Sequence, residues 1–225
     1  MKKEYETLFP SSSIVTVNNF YDESFDILPL EKNQNNDEII QLCYCSNLIY
    51  SKGILDVIEA YKMLFEKGIN IRLDICGLFG SDEFLSKEKM KTLFYKSIKG
   101  LSGITYYGPL YGTNKVNLLW ESDIFILPSF YSSEAFPISI IEAMRAGCVI
   151  ITTKHHYLHH IVGVENGISV EVKSASELSK AIESLTSDRY HKIKTIQNYN
   201  LKTALTKYTQ VKYLNSLSSI IDNCV

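Results

Sequence analysis

Strand-length apolar runs rich in Ile, Val and Cys alternate along this chain with longer segments whose apolar residues recur at the helical period. That alternation leaves few folds open: each short run buried on both sides needs helices above and below it, as βαβ units supply. The pattern predicts strands over 14–17, 39–45, 71–76, 104–107, 124–127, 149–152 and 168–170. Helices are predicted over 54–66, 83–98, 114–121, 138–146, 175–185 and 201–221. In the first of these, Ile54, Val57, Ile58, Tyr61, Leu64 and Phe65 form one face, and Asp56, Glu59, Lys62 and Glu66 fill the other. Such a helix lies on a sheet and shows its charged side to water. The expected fold class is α/β, a doubly wound parallel sheet, and 225 residues with 45% hydrophobic content suffice for its core.

Charge and cysteine usage narrow the function classes. A formal net charge of −2 gives no general attraction to nucleic acid or anionic lipid, so any anion site is local. Met1-Lys2-Lys3 is followed by Glu4 and Glu6 rather than by a signal-length apolar run. The longest apolar runs, 124–128 and 148–151, fall far short of the roughly 20 residues of a membrane span, which predicts a soluble protein. The five cysteines, Cys43, Cys45, Cys76, Cys148 and Cys224, lack zinc or disulfide spacing and read as reduced, mostly buried thiols of the cytoplasm. Residues 31–37 read as a polar loop. The expected organisation is a lead-in with a first strand over 1–38, a binding domain over 39–200 and a C-terminal helix over 201–225.

In an open parallel sheet ligands sit beyond the carboxyl ends of the strands, so the segments that follow strands are the candidates. After the strand ending at Cys45, Lys52-Gly53 at a helix start brings an ammonium together with free backbone N–H groups, a setting for phosphate. Taken alone, Lys52 reads more readily as a solvated loop lysine. After Leu127, the segment through Glu134 and Pro137 opens a helix carrying Glu142. Cβ bonds tilt toward a helix N-terminus, so a glutamate one turn in reaches back to a ligand held there. Carboxylates repel a diphosphate, and their natural partners are hydroxyl donors such as those of a sugar and a ribose; two unrelated surface glutamates fit the spacing as well. Gly77, after the third predicted strand, permits close ligand approach, and the turn around Leu110 could hold a flat base or be an ordinary turn.

Taken in order, these pieces resemble the C-terminal, donor-binding domain of GT-B-type retaining glycosyltransferases, the glycosyltransferase group 1 family. The resemblance spans about residues 43–185 and rests on Ser51-Lys52-Gly53, Asp74-Ile75-Cys76-Gly77, Ile104 to Gly108, Ser122-Asp123-Ile124-Phe125-Ile126-Leu127-Pro128-Ser129 and Glu142-Ala143-Met144-Arg145-Ala146-Gly147. It implies a single Rossmann-like half of a GT-B fold. The family's two-glutamate motif falls on Glu134 and Glu142, with Glu134 on the donor sugar, Glu142 on the nucleotide ribose and Lys52 neutralising the diphosphate. Lys52 and Glu134 are thereby the expected catalytic residues. Asn47, Gly53, Gly77, Leu110, Phe136, Pro137, Ile138 and Glu142 are the expected donor-binding ones, Pro137 having no N–H to contribute.

The departures from the family are specific. Asn47 stands where an arginine usually helps the lysine, a loss of about 1.5–3 kcal/mol of donor binding unless another group compensates. The glycine pair and glutamate after the next strand appear as His155, His156 and His159. His155, His156, His159 and His160 include two i, i+4 pairs, a zinc-like spacing, but no acidic or cysteine ligand lies near them in sequence. An acid–base role toward an acceptor or simple loop packing also fits them. With no D-x-D motif present, no metal site and no cofactor are expected beyond the nucleotide-sugar donor.

The resemblance further implies hexosyl transfer from a UDP or GDP sugar to a saccharide or lipid-linked saccharide in polysaccharide biosynthesis, at the inner membrane face or free in the cytoplasm. The acceptor domain of full-length relatives is expected on a separate protein, with a truncated gene or a trimmed chain as the other readings, and the apolar face of the predicted last helix is expected to be covered by self-association or by that partner. A non-catalytic nucleotide-sugar-binding module is the alternative, and an epimerase or phosphorylase of the same architecture a third reading. No nucleic-acid partner is expected.

Overall fold

The computed structural model describes residues 7–10, 14–32, 39–186 and 189–222. Six strands, β1 (Ile40–Cys45), β2 (Ile71–Cys76), β3 (Ile104–Tyr106), β4 (Ile124–Leu127), β5 (Val149–Thr153) and β6 (Gly167–Val170), form one sheet. Every pairing is parallel and the order is β3-β2-β1-β4-β5-β6. Parallel neighbours require crossovers, and the helices provide them: α1 (Ile54–Glu66), α2 (Lys87–Ile98), α3 (Gly112–Glu121), α4 (Ile138–Arg145), α5 (Leu158–Ile161) and α6 (Ala175–Thr186). Two more, α7 (Arg189–Lys207) and α8 (Gln210–Asp222), close the chain.

The helices gather in two groups, α1 with α2 and α6, and α4 with α3 and α7. Between them β4 and β5 are buried at every position, which is why their sequences, IFIL and VIITT, carry no polar/apolar alternation. α1 buries Ile54, Val57, Ile58, Ala60, Tyr61 and Leu64, each large aliphatic worth about 1.5–3 kcal/mol on removal from water. The strand order reverses between β1 and β4, and the crevice at their carboxyl ends is where a fold of this kind receives a ligand.

The predicted core elements are present, and the differences have local causes. Residues 14–17 form no strand: β1 already has β2 on one edge and β4 on the other, and Val15 is exposed. The lead-in instead runs through a short 3-10 turn, Glu23–Ile27, and is held by buried Arg145, whose guanidinium donates to the carbonyls of Leu28 and Pro29. The helix expected from residue 83 starts at Lys87, because the Asp82 carboxylate accepts from the amides of Phe84 and Leu85 and Ser86 caps the helix through Lys89 N–H. The single helix expected over 201–221 is two. α7 begins before the expected boundary at residue 201, and the chain breaks after Lys207, where Tyr208 turns inward against Phe136. Cys43, Cys45, Cys76 and Cys148 are free, buried thiols; Cys224, Met1 to Lys3 and residues 33–37 of the polar loop lie outside the described residues. Among the described residues no helix is long and apolar enough to cross a membrane.

Candidate nucleotide-sugar site

The loops after β1 and β4 meet at the switch point. Phe130 N–H donates to Ser51 O, and the Ser51 amide and hydroxyl both donate to the Asp82 carboxylate at 2.7 Å, fixing the turn that carries Lys52. From that turn the Lys52 ammonium reaches across to Glu134 at 2.5 Å in an aligned hydrogen bond, 5.1 Å above the Tyr131 ring. Thr152 and Thr153 on β5 donate to the carbonyls of Leu127 and Ser129, so the loop bearing Glu134 is tied to the sheet at its root. Sequence reading had not singled out Asp82, Thr152 or Thr153, because an anchor of this kind is visible only through its partner.

The Lys52-Gly53 turn offers a phosphate no free backbone amide of its own. The Lys52 N–H donates to Ile49 O and the Gly53 N–H to Tyr50 O, so neither amide is free for an anion. Gly53 is needed for shape: its φ is +75°, and a Cβ there would stand 2.4 Å from Pro128 O. Gly77 (φ +147°) has the same role against Ser46 O, with a hypothetical Cβ 1.8 Å away. The amides of Ile138 and Ser139, in the first turn of α4 where no carbonyl lies behind them, remain as helix-end donors, and Pro137 is the N-cap.

Beside this turn a cleft of about 280 Å³ opens at the ends of β1 and β2, lined by Asn47, Gly77, Leu110, Tyr111, Lys115 and Ser139 among others. Three predicted donor-binding residues, Asn47, Gly77 and Leu110, thus share one wall system. Glu142 lies one turn behind Ser139, buried, with its carboxylate 2.5 Å from the Lys115 ammonium. Lys115 is a residue that motif reading missed. Burial pulls its ammonium down, but the Glu142 carboxylate outweighs that and holds the pKa above the ordinary lysine value. Lys52 pairs with Glu134 and Lys115 with Glu142; the three residues Lys52, Glu134 and Glu142 do not converge on one contact. Phe136 faces away from the cleft, its ring on Tyr208 at 5.7 Å and its carbonyl accepting from Asn19, and Ile138 is exposed.

The histidines pair up, His155 with His156 and His159 with His160, at ring separations of 3.9 and 4.0 Å. His155 Nε2 is 3.0 Å from Tyr131 O, which puts it beside the Lys52–Glu134 pair, and burial lowers its pKa. Among the described residues no three His, Cys, Asp or Glu side chains are placed to hold a metal ion.

The family profile described as glycosyl transferases group 1 matches residues 29–203, more than half of the chain. The chain belongs to the group 1 glycosyl transferases. A glycosyltransferase of Rickettsia africae has the same fold, with a TM-score of 0.79 at 21% identity over 97% of this chain and 60% of that one. The HepE protein of Anabaena, solved with UDP and glucose, gives a TM-score of 0.79 at 16% identity, covering 99% of this chain and 60% of its own. The C-terminal domain of a group 1 family glycosyl transferase from Francisella tularensis gives 0.61 at 22% identity, covering 76% of this chain and 87% of that domain. Among curated proteins none matches by sequence. This group 1 chain therefore spans 60% of the length of the first two structures.

Proposed function

We propose that this chain is the donor-binding half of a group 1 glycosyl transferase, holding a nucleotide diphosphate sugar without a metal ion and passing its hexosyl group to a saccharide or lipid-linked saccharide. The observation that carries the reading is the pairing of a cation with each glutamate of the motif: Lys52 with Glu134, three residues before the Pro137 N-cap of α4, and Lys115 with Glu142, within α4. A departing diphosphate needs fixed positive charge where its own charge grows, and an ammonium together with the first amides of a helix supplies it without rearrangement. Carboxylates next to these cations accept from sugar and ribose hydroxyls. In this reading Lys52 stabilises the leaving group, Glu134 orients the hexose and Glu142 the ribose. HepE, solved with UDP-glucose and with UDP and glucose, is a fold neighbour that supports a uridine nucleotide as the first to try. Turnover in this reading also requires an acceptor-binding part, for which the remaining length of the solved relatives leaves room, at the inner membrane face or in the cytoplasm.

Titration calorimetry with UDP, GDP and their glucose conjugates tests the binding. Lys52→Ala should weaken the diphosphates by about 1.5–3 kcal/mol while leaving uridine or guanosine within twofold. Equal losses for nucleoside and diphosphate would remove Lys52 from the phosphate site, and absence of saturable heat from every nucleotide would refute the donor-binding function.

A further inference from the structure

Of the side chains lining the 280 Å³ cleft, Lys115 is the charged one; Lys52 and Glu134 are not among them. The two cations also differ in the geometry of their pairing. Lys52 makes an aligned hydrogen bond to Glu134, whereas the Lys115 ammonium touches Glu142 Oε2 at an angle that leaves this buried oxygen without a hydrogen bond. A misaligned pair keeps its Coulomb attraction but leaves the buried oxygen open to an aligned donor. Lys115 projects from the first turn of α3 toward the first turns of α4, with Ser139 in the same wall. An anion drawn to the α4 N-terminus would therefore come within reach of its ammonium, which the neighbouring carboxylate keeps protonated.

We infer that Lys115 is a second phosphate-binding residue of this cleft, which trades Glu142 for the diphosphate of the incoming nucleotide and so releases the buried Glu142 carboxylate to the ribose diol. The inference rests on the nucleotide-sugar reading and extends it to a coupling between the two ends of the ligand. A buried carboxylate stripped of its cation is strongly disfavoured unless hydroxyl donors replace it. Phosphate and ribose diol consequently help one another: a diphosphate binds well only when the diol is there to take over Glu142. Asn47, a neutral side chain in the same lining, leaves Lys115 as the cation that a phosphate meets in the cleft.

The test is calorimetry of UDP, 2′-deoxy-UDP, GDP, 2′-deoxy-GDP and the two nucleosides on the wild-type chain, Lys115→Met, Lys115→Arg, Glu142→Gln and Lys52→Ala, each checked for folding by circular dichroism. For the better-binding base, Lys115→Met should lower diphosphate affinity at least about tenfold and nucleoside affinity less than about threefold, with Lys115→Arg recovering most of the loss. The deoxy-diphosphate should bind at least about tenfold more weakly than the diphosphate to the wild type, and Glu142→Gln should shrink that ratio. A Lys115→Met chain that melts lower yet binds diphosphate as the wild type does would make the ion pair merely structural and overturn the inference. If that happens while Lys52→Ala abolishes diphosphate binding, the donor-binding function stands and only this inference falls; if no nucleotide binds the wild type, both fall.

Discussion

At position 156 a histidine holds a left-handed backbone, φ 45°, which an L side chain adopts at a cost of about 1–2 kcal/mol. The family resemblance puts a glycine at this place, a residue that holds this backbone without strain. His156→Gly should remove that strain and, after the extra freedom of glycine in the unfolded chain is subtracted, raise stability by about 0.5–1 kcal/mol in urea unfolding. A loss of stability would mean that the ring contact with His155 outweighs the backbone strain. Single residues are also where the sequence was most and least legible. Lys52, Glu134 and Glu142 stand out by their place in an ordered motif, and the structure puts each in an ion pair. Lys115 carries no such signal, because a lysine on the polar side of a helix reads as a solvated charge until its partner is known.

The turns between elements decide the shape of the cleft. Gly77 lies where the segment after β2 crosses the segment after β1: Leu48 N–H donates to Leu78 O, Gly77 N–H to Gly108 O, and Tyr106 Oη–H to Gly77 O. A methyl group at Gly77 would force these segments apart, because the atom it meets is backbone rather than a flexible side-chain end. Gly77→Ala should cost about 2–4 kcal/mol of stability in urea unfolding and widen the cleft, with a loss of at least about tenfold in nucleotide affinity. Retained affinity and stability would show that the crossing can open without consequence. The periodicity that located α1 and α4 from sequence is a local property, and those helices lie as expected. The helix start at Lys87 was missed because Asp82 satisfies the amides of Phe84 and Leu85 from outside any helix, a competition that hydrophobic periodicity does not register.

Across the whole molecule, stability is concentrated in the sheet and thins toward the C-terminus. α7 is bound to the core by a buried amide network in which Asn200 donates to Cys148 O and Asn166 O and accepts from Asn166, linking the helix to β5 and the turn before β6. α8 has no buried residue; it leaves Val211, Leu214 and Ile221 exposed, and among its ring contacts is Tyr213 on Phe20 at 4.9 Å. Amides of 210–222 should exchange with solvent at least about 100-fold faster than those of β4 and β5. Equal protection in hydrogen-exchange mass spectrometry would mean that something covers α8 in solution, self-association being the first to check by sedimentation. The sequence by itself determined the α/β alternation, the position of nearly every strand and the ordered loop motifs, since these follow from side-chain period and from residues a few positions apart. Which cation faces which carboxylate, which glycines are there for close approach and whether 14–17 finds a strand partner were decided only by the tertiary structure. Those outcomes depend on which strands become neighbours, and the reversal of order between β1 and β4 brings together segments that no local pattern connects.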